Sequence, residues 1–165
     1  MPDMLIHLYG RDWNEILLRD RSKMDRIGVK IHRALSPDRE PILRFIAQNM
    51  NEGHAGEASA AFSNNPPTIF VAMRGRELLG FACYDATAKG FFGPTELLAA
   101  ERGKGIGTAL LNACMNAMKE AGYAYAVAGW VTDARAFYEK TVGATVIEGS
   151  FPGVYERFIK VQKVK

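Results

Sequence analysis

Apolar residues recur along this chain with two periods, and the switching between them predicts the elements. Residues 4–9 (MLIHLY) read as a short strand. Over 12–26 (DWNEILLRDRSKMDR), Trp13, Ile16, Leu17 and Met24 gather on one side of a helix, and Gly28 ends it. Residues 29–35 alternate as a strand, with Val29, Ile31 and Arg33 facing one way and Lys30 and His32 the other. Ser36 before Pro37 predicts a helix N-cap and first position, and Ile42, Phe45, Ile46 and Met50 continue as its apolar stripe. The stretch NEGHAGE reads as a break, followed by a short helix over about 57–63 and turn residues from Asn64 to Pro67.

The second half is more regular. Residues 68–74 and 77–87 form a predicted hairpin around Gly75, and 91–99 form a third strand that Pro94 must bulge or leave at an edge. A helix is expected over about 105–121, with Thr108, Asn112, Asn116, Lys119 and Glu120 as its polar stripe. The run 123–131 (YAYAVAGWV) is apolar enough for the middle of a sheet. A short helix over 133–141, capped by Asp133, and a final strand pair over 145–149 and 155–162 complete the order. Strands interleaved with helices mean an α/β chain, a mixed sheet covered by helices.

Composition adds limits. A chain of 165 residues is long enough to bury a core without disulfides or metal staples, and it favours one domain. The balance of 21 basic and 18 acidic side chains is too even to argue for a nucleic-acid or membrane surface. Cys83 and Cys114 stand in apolar runs, outside any CxxC pair or His/Cys cluster, so they read as reduced core residues and no metal is expected. The first residues lack the basic start and long apolar stretch of a secretory signal, and no run approaches the ~18 apolar residues of a membrane span. The expected location is the cytoplasm.

One stretch asks for a ligand. Residues 102–110 (RGKGIGTAL) put Gly103, Gly105 and Gly107 behind and among Arg102 and Lys104, directly before a helix. Bare glycine amides, the unpaired first N–H groups of a helix, its dipole and two cations together suit a phosphate or pyrophosphate. The alternative is a tight strand-to-helix turn. Neither nucleotide fingerprint fits: Walker A lacks its earlier glycine, and a G-x-G-x-x-G frame meets Leu110 or Thr108 at its last position.

Arg102, Gly105 and Gly107 do match R-x-x-G-x-G, and here the sequence resembles the GNAT superfamily of N-acetyltransferases. Downstream, Ala134, Phe137, Tyr138, Glu139, Lys140, Gly143 and Ala144 resemble the family's A-x-x-F/L-Y-E-K-x-G-F/A signature, with one extra residue before the glycine. The element order fits from Val29 to about Val161, leaving residues 1–28 as an N-terminal extension packed on a domain of residues 29–165. The resemblance implies a GNAT-like fold: a central, mostly antiparallel twisted sheet flanked by helices, with the strands on either side of the loop and its helix splayed apart to admit acetyl-CoA. It implies that Arg102, Gly103, Lys104, Gly105, Ile106, Gly107 and Thr108 hold the pyrophosphate, that Leu97, Leu98 and Ala99 run beside the pantetheine arm, and that Ala134, Phe137 and Tyr138 complete the cofactor site.

The same resemblance makes Tyr138 the acid that protonates the leaving thiolate, although by pattern alone it is a packing aromatic beside Phe137. No base follows from the sequence. Glu96, in the strand beside the cofactor, is a candidate, with a solvated or structural role as its alternative. Glu52, His54 and Glu57 lie where the family shapes its acceptor site, and Asp85 stands in the neighbouring strand; a polar loop is the alternative. Phe151, Pro152 and Tyr155 make an aromatic turn that lines an acceptor pocket, meets a second copy, or is an ordinary hairpin. The family's Asn seven residues before the tyrosine is Val131 here, and Glu101 replaces an aromatic before Arg102. The implied activity is acetyl transfer to the primary amine of a small molecule or peptide. A non-catalytic acyl-CoA-binding module is the other class. Many members dimerise, so a homodimer is allowed.

Overall fold

Apolar alternation in seven segments produces one sheet, ordered β2-β3-β4-β5-β6-β1-β7. The structure is a computed structural model that describes residues 1–159. The strands are β1 (Asp3–His7), β2 (Lys30–Arg33), β3 (Ile69–Arg74), β4 (Glu77–Tyr84), β5 (Phe91–Leu97), β6 (Tyr125–Ala128) and β7 (Thr145–Ile147). The helices are α1 (Trp13–Arg26), α2 (Arg39–Asn49), α3 (Glu52–Ala61), α4 (Ile106–Glu120) and α5 (Arg135–Val142). Every pairing is antiparallel except β5 with β6.

Side-chain alternation sends successive residues to opposite faces, so the sheet has two cores. Ala72 and Ala82 face the side of α1 and α4, among Trp13, Leu110, Leu111, Met115 and Met118. Val71, Phe81 and Cys83 face α2 and α3, among Ile42, Ile46, Ala58 and Ala61. Both cysteines are free and buried, and burial raises both thiols above their ordinary range. Asn112 is not on a solvated stripe. It is buried under α1, where its amide donates to Asp20 Oδ2 at 2.7 Å and ties the two helices together.

Several local expectations give way to longer-range contacts. Ser36 does not cap a helix: Ser36–Asp38 is a 3₁₀ turn with no side-chain cap, and α2 begins at Arg39. NEGHAGE does not break the chain. Asn51 caps α3 by accepting from the His54 amide at 3.2 Å, and this start outweighs the helix cost of Gly53 and Gly56. Asp133 does not cap α5, whose first helical residue is Arg135. The extra residue before Gly143 lengthens α5 to Val142, and Gly143 takes the left-handed C-cap at φ 60°.

The largest difference concerns the first residues. The short strand and helix expected there both form, but β1 is internal to the sheet, between β6 and β7 and antiparallel to both. Met4 and Ile6 are fully buried. The strand expected over 155–162 is absent from its described part, since Gly153–Arg157 is a 3₁₀ turn; residues 160–162 lie outside the described residues. β1, with no charged residue between Asp3 and His7, suits a sheet interior better than a segment carrying Glu156 and Arg157.

Candidate functional site

The parallel pair β5–β6 is joined only at Phe91–Val127 and Phe92–Ala128. Beyond these residues β5 continues through Gly93, Pro94 and Thr95 on β4 alone, while the chain after β6 turns away at Trp130, whose φ is 50°. The strands therefore part and leave a slot. Opposite Pro94 the β4–β5 register shifts between Ala82 and Tyr84, the irregularity that a proline imposes on a ladder.

Register also decides which backbone groups face the slot. The Leu98 amide donates to the Leu79 carbonyl at 2.9 Å, so Leu98–Leu79 is a hydrogen-bonded pair and Leu97–Gly80 is not. The N–H and C=O of Leu97 consequently point away from β4, toward the open side. The Ala99 carbonyl is engaged differently, accepting from the Arg102 amide in a 3₁₀ turn.

At the end of this slot lies the glycine loop. Gly103 and Gly105 have φ of 78° and 82°, the left-handed region that needs glycine. Gly105 is the N-cap of α4 and supplies no side-chain cap. Among the described residues, the amides of Gly103 to Thr108 have no hydrogen-bond partner; the first helical bond is Ala109 N–H to Gly105 C=O at 3.1 Å. An anion is the partner such a row of amides fits. A Cβ on Gly107 would lie 3.6 Å from Leu97 Cδ1 and 4.0 Å from Phe137 Cζ, so the loop, β5 and α5 converge there.

Glu101 resolves its odd placement beside this loop by turning inward. It is buried, takes a two-pronged ion pair from Arg74 with both contacts at 2.9 Å, and accepts from Lys104 Nζ at 3.0 Å. Hydrogen bonds from Arg74 and Lys104 hold its carboxyl down to about 2. Lys104 thus has its charge partly matched, whereas Arg102 is exposed and makes no ion pair among the described residues. A carboxyl depressed on folding stabilises fully above its unfolded pKa, and loses that contribution as pH falls toward its folded pKa. Glu101→Gln is expected to lower stability at neutral pH and to flatten the pH dependence between about pH 4.3 and pH 2. Urea denaturation across that range checks both signs.

A cleft of about 720 Å³ opens from the slot on the α3 side. Gly53, His54 and Glu57 of α3 form one wall, Pro94 and Thr95 the edge of β5, and Trp130, Tyr138 and Tyr155 the opposite side. Tyr138 is 7% exposed, packs edge-on against Phe92 at 6.1 Å, and finds no hydrogen-bond partner for its hydroxyl among the described residues. Burial raises it to about 12. His54 Nδ1 and Glu96 Oε2 meet at 2.8 Å, joining α3 to β5. Burial pushes Tyr155 up too, followed by the carboxylates of Asp3 and Glu57 and the phenol of Tyr138.

Of the residues expected at the site, Tyr138, Ala134 and His54 line this cleft, and Glu96 reaches it through His54. Glu52 is exposed in the first turn of α3 and does not line it. Asp85 does not either: it accepts from Tyr123 Oη at 2.8 Å, from the Gly90 amide at 2.7 Å and from Lys89 at 3.3 Å, and so closes the turn between β4 and β5. Sequence reasoning missed Arg74, Trp130 and Asp3. The Trp130 amide donates to Asp3 Oδ1 at 2.9 Å, a contact across nearly the whole chain that no local pattern announces. A second groove of about 660 Å³, between α1, α4 and the β2 edge, contains no residue of the loop or cleft. Among the described residues no helix is long and apolar enough to cross a membrane.

The fold has solved counterparts. It is similar to a fungal multi-domain GH3 β-N-acetylglucosaminidase with a GCN5-related glucosamine N-acetyltransferase region, at a TM-score of 0.69 and 14% identity over 88% of this chain and 19% of that one. It is also similar to a GCN5-related N-acetyltransferase from Sphaerobacter thermophilus, at a TM-score of 0.57 and 18% identity over 88% of this chain and 48% of that one. The chain spans less than half the length of either protein, and at these identities the likeness concerns the fold. No curated protein matches the chain by sequence. The model of the acetyltransferase (GNAT) family matches residues 30–144, a stretch that runs from β2 past the tyrosine helix and includes the whole glycine loop, and the chain belongs to that family.

Proposed function

We propose that this chain is an acetyl-CoA-dependent N-acetyltransferase acting on a primary amine by direct attack. One observation carries the reading: unpaired loop amides open onto a slot between parted strands, and the hydroxyl of Tyr138, without a protein partner among the described residues, lines the same opening. The amides of Gly103 to Thr108 hold the pyrophosphate of the acetyl donor, with Arg102 adding charge. The Leu97 backbone bonds the pantetheine arm, and Phe137 packs beside it.

The acceptor enters from the cleft. Its nitrogen forms a bond to the acetyl carbon as the carbon–sulfur bond breaks. The proton lost by the amine passes to Glu96, directly or through water, and His54 orients that carboxylate. Tyr138 donates to the departing sulfur. A tyrosine at about 12 is a weaker acid than an ordinary alkyl thiol, near 8.5, so its hydroxyl remains protonated at every working pH and acts first as a hydrogen-bond donor to the developing thiolate.

Saturating acetyl-CoA is expected to raise the melting temperature, with ATP and NAD as controls that do not. A ligand at about a hundred times its Kd adds about 2.7 kcal/mol, a shift on the order of 5–10 °C for a chain of this size. An equal shift from ATP or NAD, or none from acetyl-CoA, would overturn the donor assignment. Release of free CoA on adding an amine separates an enzyme from a module that only binds.

A further inference from the structure

The acceptor end of the cleft is built of aromatic faces and a carboxylate. Trp130 and Tyr155 lie 4.8 Å apart between ring centroids, Trp130 and Phe158 5.7 Å, and Tyr155 and Phe158 5.3 Å. Phe158 is 55% exposed and Trp130 38%, so the cluster keeps ring surface open beside the cleft. The position of Trp130 is enforced. Its left-handed backbone is held by Asp3, and its neighbour Gly129 leaves room for Tyr155, whose hydroxyl a Cβ at Gly129 would meet at 1.9 Å.

Glu57 stands on α3, three residues after His54, and so shares a face with it. Its carboxylate accepts from the Thr87 hydroxyl and has no cationic partner among the described residues. Among the described residues no lysine or arginine lines the cleft. Exposed ring faces attract cations, and an unmatched carboxylate at the same opening adds to that attraction. A carboxylate on the acceptor would be repelled by Glu57 and would find no lysine or arginine to pair with among the described residues.

Resting on the acetyltransferase reading, we propose that the acceptor is a diamine: one nitrogen is acetylated beside His54, Glu96 and Tyr138, while a second, protonated nitrogen is held by Glu57 and the rings of Trp130, Tyr155 and Phe158. Amino acids are disfavoured by the same site.

Three probes of nearly equal shape isolate the far group: 1,4-diaminobutane, n-pentylamine and 4-aminobutanoate, titrated by calorimetry into the full chain with and without bound CoA. The diamine is expected to bind at least tenfold tighter than the monoamine, and the carboxylate compound weaker than both. Glu57→Gln is expected to bring the diamine within about threefold of the monoamine, and Trp130→Leu to weaken the diamine by a comparable factor. Acetyl-CoA affinity reports whether each variant is folded. Equal affinities for the three probes, no measurable amine binding, or a diamine preference that survives in both folded variants overturns the proposal. Loss of acetyl-CoA binding by the unaltered chain would instead overturn the donor reading, and the ranking of the amines would still be read without CoA.

Discussion

Replacing Tyr138 by phenylalanine is expected to lower kcat about tenfold or more and to leave acetyl-CoA affinity nearly intact. The substitution removes one oxygen from a ring that stays packed on Phe92 and Phe137, and no described residue loses a hydrogen bond. Structural damage is therefore small, and a kcat effect reports the hydroxyl's part in the reaction. Steady-state kinetics with separate KM values for donor and acceptor make the measurement. An unchanged kcat would remove Tyr138 from the chemistry. A second readout follows from burial. With Tyr138 raised to about 12, its own ionisation gives no alkaline fall in kcat at ordinary assay pH, so a limb seen there belongs to another group.

The other large effect is expected at Gly80. It faces Leu97 in a pair that shares no hydrogen bonds, where opposed strands approach most closely. A Cβ there would lie 2.3 Å from Leu97 Cδ2 and 2.6 Å from the Glu96 carbonyl oxygen. A leucine side chain can rotate away, but a backbone carbonyl moves only with its strand. Gly80→Ala is expected to cost about 1–3 kcal/mol of stability and to displace β5 toward the slot. The same displacement shifts Leu97 and Glu96, so acetyl-CoA affinity should fall with stability. Thermal melts with and without acetyl-CoA check the pair of effects; a variant as stable and as tightly binding as the parent would contradict this account of the β4–β5 contact.

The parts of the site legible in the sequence are those encoded within a few residues. The glycine loop announces itself because positive φ, bare amides and a helix start demand glycine at set positions. The segment around Tyr138 is legible for a similar reason, since helix and C-cap are adjacent. Pro94 foretells an irregular strand. What escaped depends on partners far along the chain. Glu101 looks misplaced until Arg74 is seen to face it. Asp85 looks like a site residue until Tyr123 claims its carboxylate. Asn112 looks solvated until α1 covers it. The start of α3 was hidden by its glycines, although Asn51 stood there as a cap.

β1 has a consequence for how the molecule comes together. It is synthesised well before its partners β6 and β7, which lie far along the chain from it. Closing so long a loop is entropically costly, and pairings distant in sequence slow folding. The elements around the glycine loop, from β3 through α4, draw on neighbours in the chain and are expected to assemble early. The wall of the cleft at Trp130 waits for Asp3 to reach it. Until then the apolar side chains of Met4, Ile6 and Leu8 are in need of shelter.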